Sequence, residues 1–339
     1  MKRKALFATV IAAPLALVLG ACSATPVGGD NGGSEAKALT LKIGYVDTPG
    51  TLVDLAAIRF EEELEERSGG AITVENFGGG QLGAENEMVE SMGLGALDMA
   101  IVGDSVISVF APEYSALSFP YLVESAEHLE AIGSSEIADE LSAVFQEELG
   151  VSVDRWLARA PRMLSANRAV ETPADLAGLK LRVPANPVME AAWAALGASP
   201  TPVAFNELFL ALQQGVVDAQ ENPIDTVVAT HFEEVQSHQM LTEHLFAPYF
   251  VLVSDRYLEG LDDQQREWIS ESMDAAQAHL RELVAQGQSE GLETLKAAGM
   301  TIITPDIDAF RSKLMDSGVI DDFADEWAEG LVERIRALA

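Results

Sequence analysis

The chain has 339 residues and a formal net charge of -33, because 54 acidic side chains face only 21 lysines and arginines. Phosphate binding requires a basic face, so we expect no nucleic-acid partner. Hydrophobic residues make up 48% of the sequence, which is enough for a sizeable core, and the length suits two domains. The single cysteine excludes an intramolecular disulfide, so the core has to hold the fold.

The N-terminus has the pattern of an export signal. Basic residues 2–4 precede an apolar run over 5–20, which is shorter than the roughly 20 apolar residues of a membrane span. Cys22 follows where a cleavage site is expected and resembles the lipobox cysteine of bacterial lipoproteins; a stray thiol is the alternative. The resemblance implies a signal peptide over 1–21, acylation of Cys22 and a lipid-anchored protein outside the cytoplasm, at the cell surface or in the periplasm. Residues 22–38 then form a flexible tether.

Strands and helices alternate at the start of the mature chain. Alternating apolar residues predict strands over 39–46 and 72–77, with a helix over 52–67 between them. A helix over 84–94 and a strand over 98–102 continue the alternation. Strand–helix–strand is the unit of a parallel sheet, so we expect an α/β fold.

The alternation continues further along the chain. A strand over 151–157 precedes a short helix opened by Thr172-Pro173-Ala174-Asp175, a capping-box pattern with proline at the first helical position. A strand over 179–183 follows, and a helix begins at Asn186-Pro187 and ends at Gly197. Apolar residues then recur at helical spacing over 262–298. Such a helix is about 50 Å long at 1.5 Å per residue, long enough to brace two lobes.

Three segments resemble a known family. They are Thr172-Pro173-Ala174-Asp175-Leu176-Ala177-Gly178-Leu179-Lys180-Leu181-Arg182-Val183-Pro184, the stretch from Phe205 to Pro223, and Gly80-Gln81-Leu82-Gly83 with Gly95 to Ala100. In this order they resemble the solute receptors of tripartite ATP-independent periplasmic (TRAP) transporters. The resemblance implies a two-lobe periplasmic-binding-protein-like fold with hinge strands and a long C-terminal bracing helix. It also implies a small organic acid in the inter-lobe cleft, which closure presents to a membrane permease.

The same resemblance divides the mature chain. Lobe I is expected to comprise 39–160 plus about 248–287, and lobe II 161–247 plus about 288–339. We expect a monomer whose protein partners are the TRAP permease membrane subunits. No cofactor and no metal are expected.

Arg182 is the main candidate for holding a carboxylate. On its strand it lies on the face opposite Leu181 and Val183, and a guanidinium offers a planar fork of donors that matches a carboxylate. The free amides at the next helix start also favour an anion. The family resemblance implies the same role for Arg182, while a surface salt bridge is the alternative.

Arg162 is implied by the resemblance as a second cationic contact. A salt bridge across the lobe surface is the alternative. Arg155, Arg159 and Arg168 lie close in sequence, so the assignment to Arg162 depends on the register.

Two uncharged residues complete the candidates in the second lobe. The resemblance places Asn222 against the ligand, where its amide can donate and accept; a turn residue before proline is the alternative. Phe205 is implied as a cleft wall. If Asn206 caps the following helix, Phe205 and Leu210 would instead form a hydrophobic staple.

Candidates in the first lobe follow from strand ends, where open α/β sheets bind ligands. Tyr45 and Asp47 follow the first strand and Asp104 follows a later one, and a hydroxyl and acids there suit a polyhydroxylated ligand. Gln81 lies in a glycine-rich turn and is a weaker candidate. Turn chemistry is the alternative for these residues. His244 is interpreted as a packed residue near a crossover.

The sequence favours a binding protein over an enzyme. It contains no Gly-x-Ser-x-Gly, no His-Glu-x-x-His and no phosphate loop, and its five histidines show no ligand-like pairing. A lipid-anchored hydrolase using two carboxylates is a remote alternative. Residues 195–202 and 220–223 look most like the sugar-acid and uronate receptors, so a sugar acid such as a hexuronate is the favoured ligand. A C4-dicarboxylate or another organic acid is the runner-up.

Overall fold

The computed structural model describes residues 39–339; the expected signal peptide, Cys22 and the tether lie outside the described residues. The strands are β1 (Leu39–Gly44), β2 (Ile72–Phe77), β3 (Met99–Val102), β4 (Val151–Leu157), β5 (Arg162–Ala166), β6 (Lys180–Val183), β7 (Ser199–Pro202), β8 (Ala219–Asn222), β9 (His238–Leu245), β10 (Tyr249–Ser254) and β11 (Thr301–Ile303). The helices are α1 (Leu52–Arg67), α2 (Glu85–Gly93), α3 (Ile107–Phe110), α4 (Ala126–Gly133), α5 (Glu136–Leu149), α6 (Pro187–Leu196), α7 (Phe205–Gln213), α8 (Ile224–Ala229), α9 (Asp255–Glu259), α10 (Asp263–Ala297), α11 (Ile307–Met315) and α12 (Leu331–Arg336).

The first sheet has five strands in the order β2-β1-β3-β10-β4. β1 pairs in parallel with β2 and with β3, as the strand–helix–strand pattern predicts. β10 joins from far along the chain and pairs antiparallel with β3 and β4. The α/β fold class is therefore confirmed, with a mixed sheet rather than a purely parallel one.

The second sheet has six strands in the order β11-β9-β5-β8-β6-β7. β6 pairs in parallel with β7 and β8, whereas β5 pairs antiparallel with β8 and β9. The chain enters this sheet after β4, through residues 158–161, and returns to the first sheet after β9, through residues 246–248. These two connections bring side chains from both sheets together.

Helix α10 is the predicted long helix, and its 35 residues span about 50 Å. Asp262 caps it through a box with Gln265. It packs against α1, beside the first sheet, and against α8, beside the second. Gly291 allows the second contact, because a Cβ there would lie 2.6 Å from Ile224 Cγ2.

Apolar side chains bury the faces of the helices against the sheets. Phe60 and Leu64 of α1 are fully buried in one core with Ile43 of β1, and Trp193 of α6 is fully buried in another. The last segment of the chain returns to the first part: Trp327 Nε1 donates to Ser115 Oγ at 2.9 Å. In the part of the chain that the structure describes, no helix is long and apolar enough to cross a membrane.

Local signals set several boundaries. Asn186 caps α6 by accepting from the amides of Val188 and Met189, at 3.0 and 3.2 Å. Gly197 ends that helix with a φ of 108°, a left-handed conformation in which a side chain would be strained. The box formed by Thr172 and Asp175 is present, but it opens a single 3-10 turn rather than an α-helix.

Candidate functional site

A cavity of about 390 Å³ lies where the ends of strands from both sheets meet. It continues into a neighbouring space of about 610 Å³, with which it shares Arg182, Glu85 and Phe205. The first sheet and its loops supply Asp47, Glu85, Asp104, Arg159 and Tyr249; the second sheet and its loops supply Arg162, Arg182, Phe205 and Asn222. Three arginines thus line one small cavity in a strongly acidic protein.

Arg182 is a buried cation that forms no salt bridge among residues 39–339. Its side chain lines both spaces, and the residue is only 3% exposed. Within residues 39–339 its one hydrogen bond runs from Nε to the carbonyl oxygen of Val203, at 2.8 Å, and it forms no salt bridge. Burial lowers the pKa of Arg182 to about 10, which still leaves the guanidinium charged at neutral pH. Its remaining donors are available to an anion.

Arg162 is held by Glu221. Its Nη2 donates to Glu221 Oε1 and to the backbone carbonyl oxygen of Glu221, both at 2.6 Å. Burial lowers the pKa of Arg162, but the attraction and hydrogen bonds of Glu221 outweigh it, so the pKa is raised overall. Burial correspondingly raises the pKa of Glu221, and Arg162 reverses that effect and keeps the carboxylate charged. Arg162 lines the cavity as one half of a neutral pair, not as a free cation.

His244 lies beneath this pair as a packed residue. Its Nε2 is 3.1 Å from Glu221 Oε2, and its Nδ1 is 2.8 Å from Thr242 Oγ1. Burial lowers the pKa of His244, so the ring is neutral near pH 7. The neutral ring fixes the orientation of Glu221 and thereby of Arg162.

The structure separates the arginines near Arg162 in sequence. Arg155 bonds to the carbonyl oxygen of Ser270 on α10, and Arg168 bonds to the carbonyl oxygen of Ala177 at an exposed site. Arg159, by contrast, lines the cavity, with its guanidinium carbon 4.2 Å from the centroid of the Tyr249 ring. The cavity therefore contains one more arginine than the sequence analysis assigned to it.

The first sheet and its loops supply the acidic side chains that line the cavity. Asp104 accepts from Ser118 Oγ at 2.8 Å, and Glu85 accepts from the amide of Gly103 at 2.6 Å and from Ser105 Oγ at 2.8 Å. Asp47 accepts from Tyr249 Oη at 3.2 Å. Burial raises the pKa of Asp47 to about 7, although the charge of Arg159 opposes the shift. Asp47 and Asp104 thus line the cavity just after the ends of β1 and β3.

Asn222 and Phe205 also line the cavity, in keeping with their predicted positions. Asn222 is the last residue of β8, and its Nδ2 donates to Gln220 Oε1 at 2.6 Å, which leaves its carbonyl oxygen to accept. Phe205 begins α7 and packs edge-on against Phe232. The cap of α7 is Ala204, so Asn206 is not the cap and the conditional staple does not form.

Two predicted first-lobe residues do not reach the cavity. The ring of Tyr45 enters the core, where its hydroxyl donates to Asp54 Oδ1 at 2.9 Å, because it continues the inward face of Leu41 and Ile43. Gln81 is exposed and folds back onto the carbonyl oxygen of Gly78. The predicted anion contribution of the α6 amides is also wrong, since Asn186 already occupies them.

Sequence reasoning missed Arg159, Glu85 and Tyr249 as lining residues. Glu85 is the first residue of α2, two positions after Gly83 of the glycine-rich turn. Tyr249 is the first residue after the 246–248 connection. Within residues 39–339, no group of three or more His, Cys, Asp or Glu side chains is arranged to hold a metal ion.

Comparison with known proteins identifies the fold and the family. Residues 43–318 match the bacterial extracellular solute-binding proteins of family 7. A solute-binding protein of Roseobacter denitrificans is 36% identical over 282 residues, which are 83% of this chain and 86% of the relative. A crystal structure of a TRAP periplasmic solute-binding protein from that organism, with bound L-galactonate, has a TM-score of 0.81 at 33% identity and covers 89% of this chain and 99% of that one.

Two further proteins extend the comparison. The 2,3-diketo-L-gulonate-binding periplasmic protein YiaO of Escherichia coli is 31% identical over 300 residues, 88% of this chain and 90% of the relative. A TRAP periplasmic solute-binding protein of Sulfurospirillum deleyianum, with bound succinate, has a TM-score of 0.83 at 25% identity and covers 89% of this chain and 99% of that one.

These matches cover the two sheets, the long helix and the cavity. The predicted two-lobe architecture is confirmed, and so is the expectation of a receptor rather than an enzyme, since the family consists of substrate-binding receptors of transporters. The chain belongs to the family 7 bacterial extracellular solute-binding proteins, the extracytoplasmic solute receptors of TRAP transporters.

Proposed function

We propose that this receptor binds a small sugar acid, such as a hexuronate, with the ligand carboxylate on Arg182. The observation that carries the proposal is the buried guanidinium of Arg182, which has a single hydrogen bond and no salt bridge within residues 39–339. A buried charge is costly unless it is paired, so Arg182 favours an anion such as a ligand carboxylate. Asn222 lines the same cavity, and its amide nitrogen has a second hydrogen to donate besides the one bonded to Gln220 Oε1.

Arg162 is a secondary contact in this proposal rather than the primary anchor. Three contacts bind it to Glu221, and a ligand carboxylate would have to share it with that residue. Arg182 has no such competitor, and we therefore assign the main carboxylate contact to Arg182.

The charges around the cavity favour a sugar acid over a C4-dicarboxylate. Asp104 and Glu85 line the cavity from the side of the first sheet, and a second ligand carboxylate placed beside them would meet like charges. Sugar hydroxyls would instead find acceptors in these side chains. The relatives support both classes, because one is named for 2,3-diketo-L-gulonate, one holds L-galactonate and one holds succinate.

A thermal-shift panel tests the ligand class. Hexuronates and hexonates should raise the melting temperature at concentrations where succinate and malate do not, because binding to the folded state stabilises it by mass action. Enzymatic turnover should be absent for every acid in the panel. Stabilisation by succinate or malate, but by no uronate or hexonate, would replace the sugar acid with the dicarboxylate alternative.

The delivery step follows from the lobes. In this proposal, residues 39–160 with about 248–287 and residues 161–247 with about 288–339 close on the ligand as a monomer and then present it to TRAP permease subunits. Small-angle scattering should show compaction of a monomer when a stabilising acid is added. An unchanged profile at saturating ligand would contradict the closure step but not the binding step.

Retention at the membrane rests on Cys22, which lies outside the described residues. We propose that its acylation anchors the receptor, with the tether allowing movement near the permease. Cys22→Ser should move the protein from the membrane fraction to the soluble extracytoplasmic fraction and remove the lipid mass. Equal membrane retention of the wild type and Cys22→Ser would contradict this anchor.

A further inference from the structure

Arg159 has an unusual combination of burial and missing partners. The residue is 9% exposed, yet the described part of the chain gives its guanidinium no hydrogen bond, and its Nε is buried without a partner. The contact to Asp104 Oδ1, at 3.8 Å, is an ion pair without a hydrogen bond. Buried polar groups are normally hydrogen-bonded, so these donors indicate a ligand that completes them.

The side chain is nevertheless held in place. Its guanidinium lies over the ring of Tyr249, a cation–π contact that fixes its orientation without using any donor. Tyr249 is fixed in turn by its hydroxyl, which donates to Asp47. Arg159 is therefore a preorganised set of donors inside the cavity.

The surrounding charges decide which ligand group can bind to Arg159. Arg159 and Glu85 both lie beside Gly103. A Cβ at Gly103 would be 3.7 Å from Arg159 Nη1 and 3.4 Å from Glu85 Oε1. Asp104 Oδ1 also lies 3.8 Å from Arg159 Nη1, and the charge of Arg159 opposes the rise that burial causes in the pKa of Asp47. A second ligand carboxylate would be repelled by Asp104 and Glu85, which lie beside Arg159. A hydroxyl fits, because it accepts from the guanidinium and donates to a neighbouring carboxylate.

We propose that Arg159 is a specificity-determining residue, which donates to ligand hydroxyls remote from the carboxylate on Arg182 while Asp104 and Glu85 accept from them. The inference rests on the proposed function and deepens it, since it selects polyhydroxylated acids by the length of their hydroxyl-bearing chain. In this division of roles, Arg182 recognises the acid and Arg159 recognises the sugar.

The test compares acids of increasing length: glycerate, erythronate and galactonate, with three, four and six carbons. In the wild type, calorimetry should show affinity that rises with chain length. Arg159→Gln should weaken galactonate binding by about 10- to 100-fold, the effect of losing a charge-assisted hydrogen bond or two, and change glycerate binding by less than about threefold. Arg159→Lys keeps the charge but loses the planar set of donors. Its affinity for galactonate should lie between those of the wild type and Arg159→Gln.

Arg155→Gln is the matched control, because Arg155 is bonded to Ser270 outside the cavity. It should leave the affinities for all three acids unchanged. Equal losses for glycerate and galactonate in Arg159→Gln, or no loss for either, would overturn the inference.

The wild-type series keeps the inference testable even if a variant fails to fold. Wild-type affinity for glycerate equal to that for galactonate would overturn the role of Arg159 without any variant. A wild type that binds succinate and none of the three acids would instead overturn the proposed sugar-acid function, and the two failures are therefore distinguishable.

Discussion

Replacement of Arg182 by methionine should have opposite effects on ligand binding and on the stability of the unliganded protein. Methionine removes the charge and retains a long, unbranched apolar side chain of adaptable shape. Truncating one partner of a buried charge pair costs about 2–5 kcal/mol of affinity. The affinity for a stabilising sugar acid should therefore fall by about 30- to 5,000-fold.

The stability effect follows from the pKa of Arg182, which burial lowers to about 10, well below the ordinary range of an arginine. At 1.36 kcal/mol per pKa unit, the charged side chain costs the folded state about 3 kcal/mol at every pH below 10. Arg182→Met removes this cost and loses the hydrogen bond to Val203, worth about 1 kcal/mol. The unliganded variant should be about 1–2 kcal/mol more stable than the wild type.

Calorimetry with galactonate and denaturation without ligand measure the two effects. Arg168→Met is the matched control, because it removes an exposed arginine of the same lobe whose bond is to the carbonyl oxygen of Ala177. It should change neither quantity by more than about 0.5 kcal/mol. Unchanged galactonate affinity in Arg182→Met would place the carboxylate elsewhere, and a destabilised unliganded variant would refute the argument that the cation is uncompensated.

Three further predictions concern buried polar groups. Glu221→Gln should destabilise the protein by about 3–5 kcal/mol, because it leaves Arg162 buried and unpaired; an unchanged melting temperature would contradict the pairing. Burial raises the pKa of Asp47 to about 7, so ionisation of this carboxyl costs the folded state. Asp47→Asn should therefore gain stability relative to the wild type as the pH rises from about 4 to 7, by at most about 4 kcal/mol. A pH-independent difference in denaturation experiments would refute this. Tyr45→Phe should lose about 1 kcal/mol of stability with its bond to Asp54 and leave ligand affinity unchanged; a tenfold loss in calorimetry would return Tyr45 to the site.

Most secondary structure followed from local signals in the sequence. The boundaries of α1, β2 and β4 agree with the predicted ranges, since alternation, helical spacing and glycine stops act within a few residues. The caps Asn186 and Gly197 bound α6 for the same reason. The place of β10 between β3 and β4 was not predictable in this way, because strand pairing depends on partners far away in the chain.

The sequence by itself determined the acidic character of the protein, its alternating α/β pattern and the basic residue types available to bind an acid. Only the tertiary structure decided what each arginine does. Glu221 neutralises Arg162 from 59 residues away, Tyr249 supports Arg159, and Arg182 remains without a counter-ion among the described residues. Charge pairing depends on distances of a few ångströms between strands of different register, and these distances are fixed by the packed sheets.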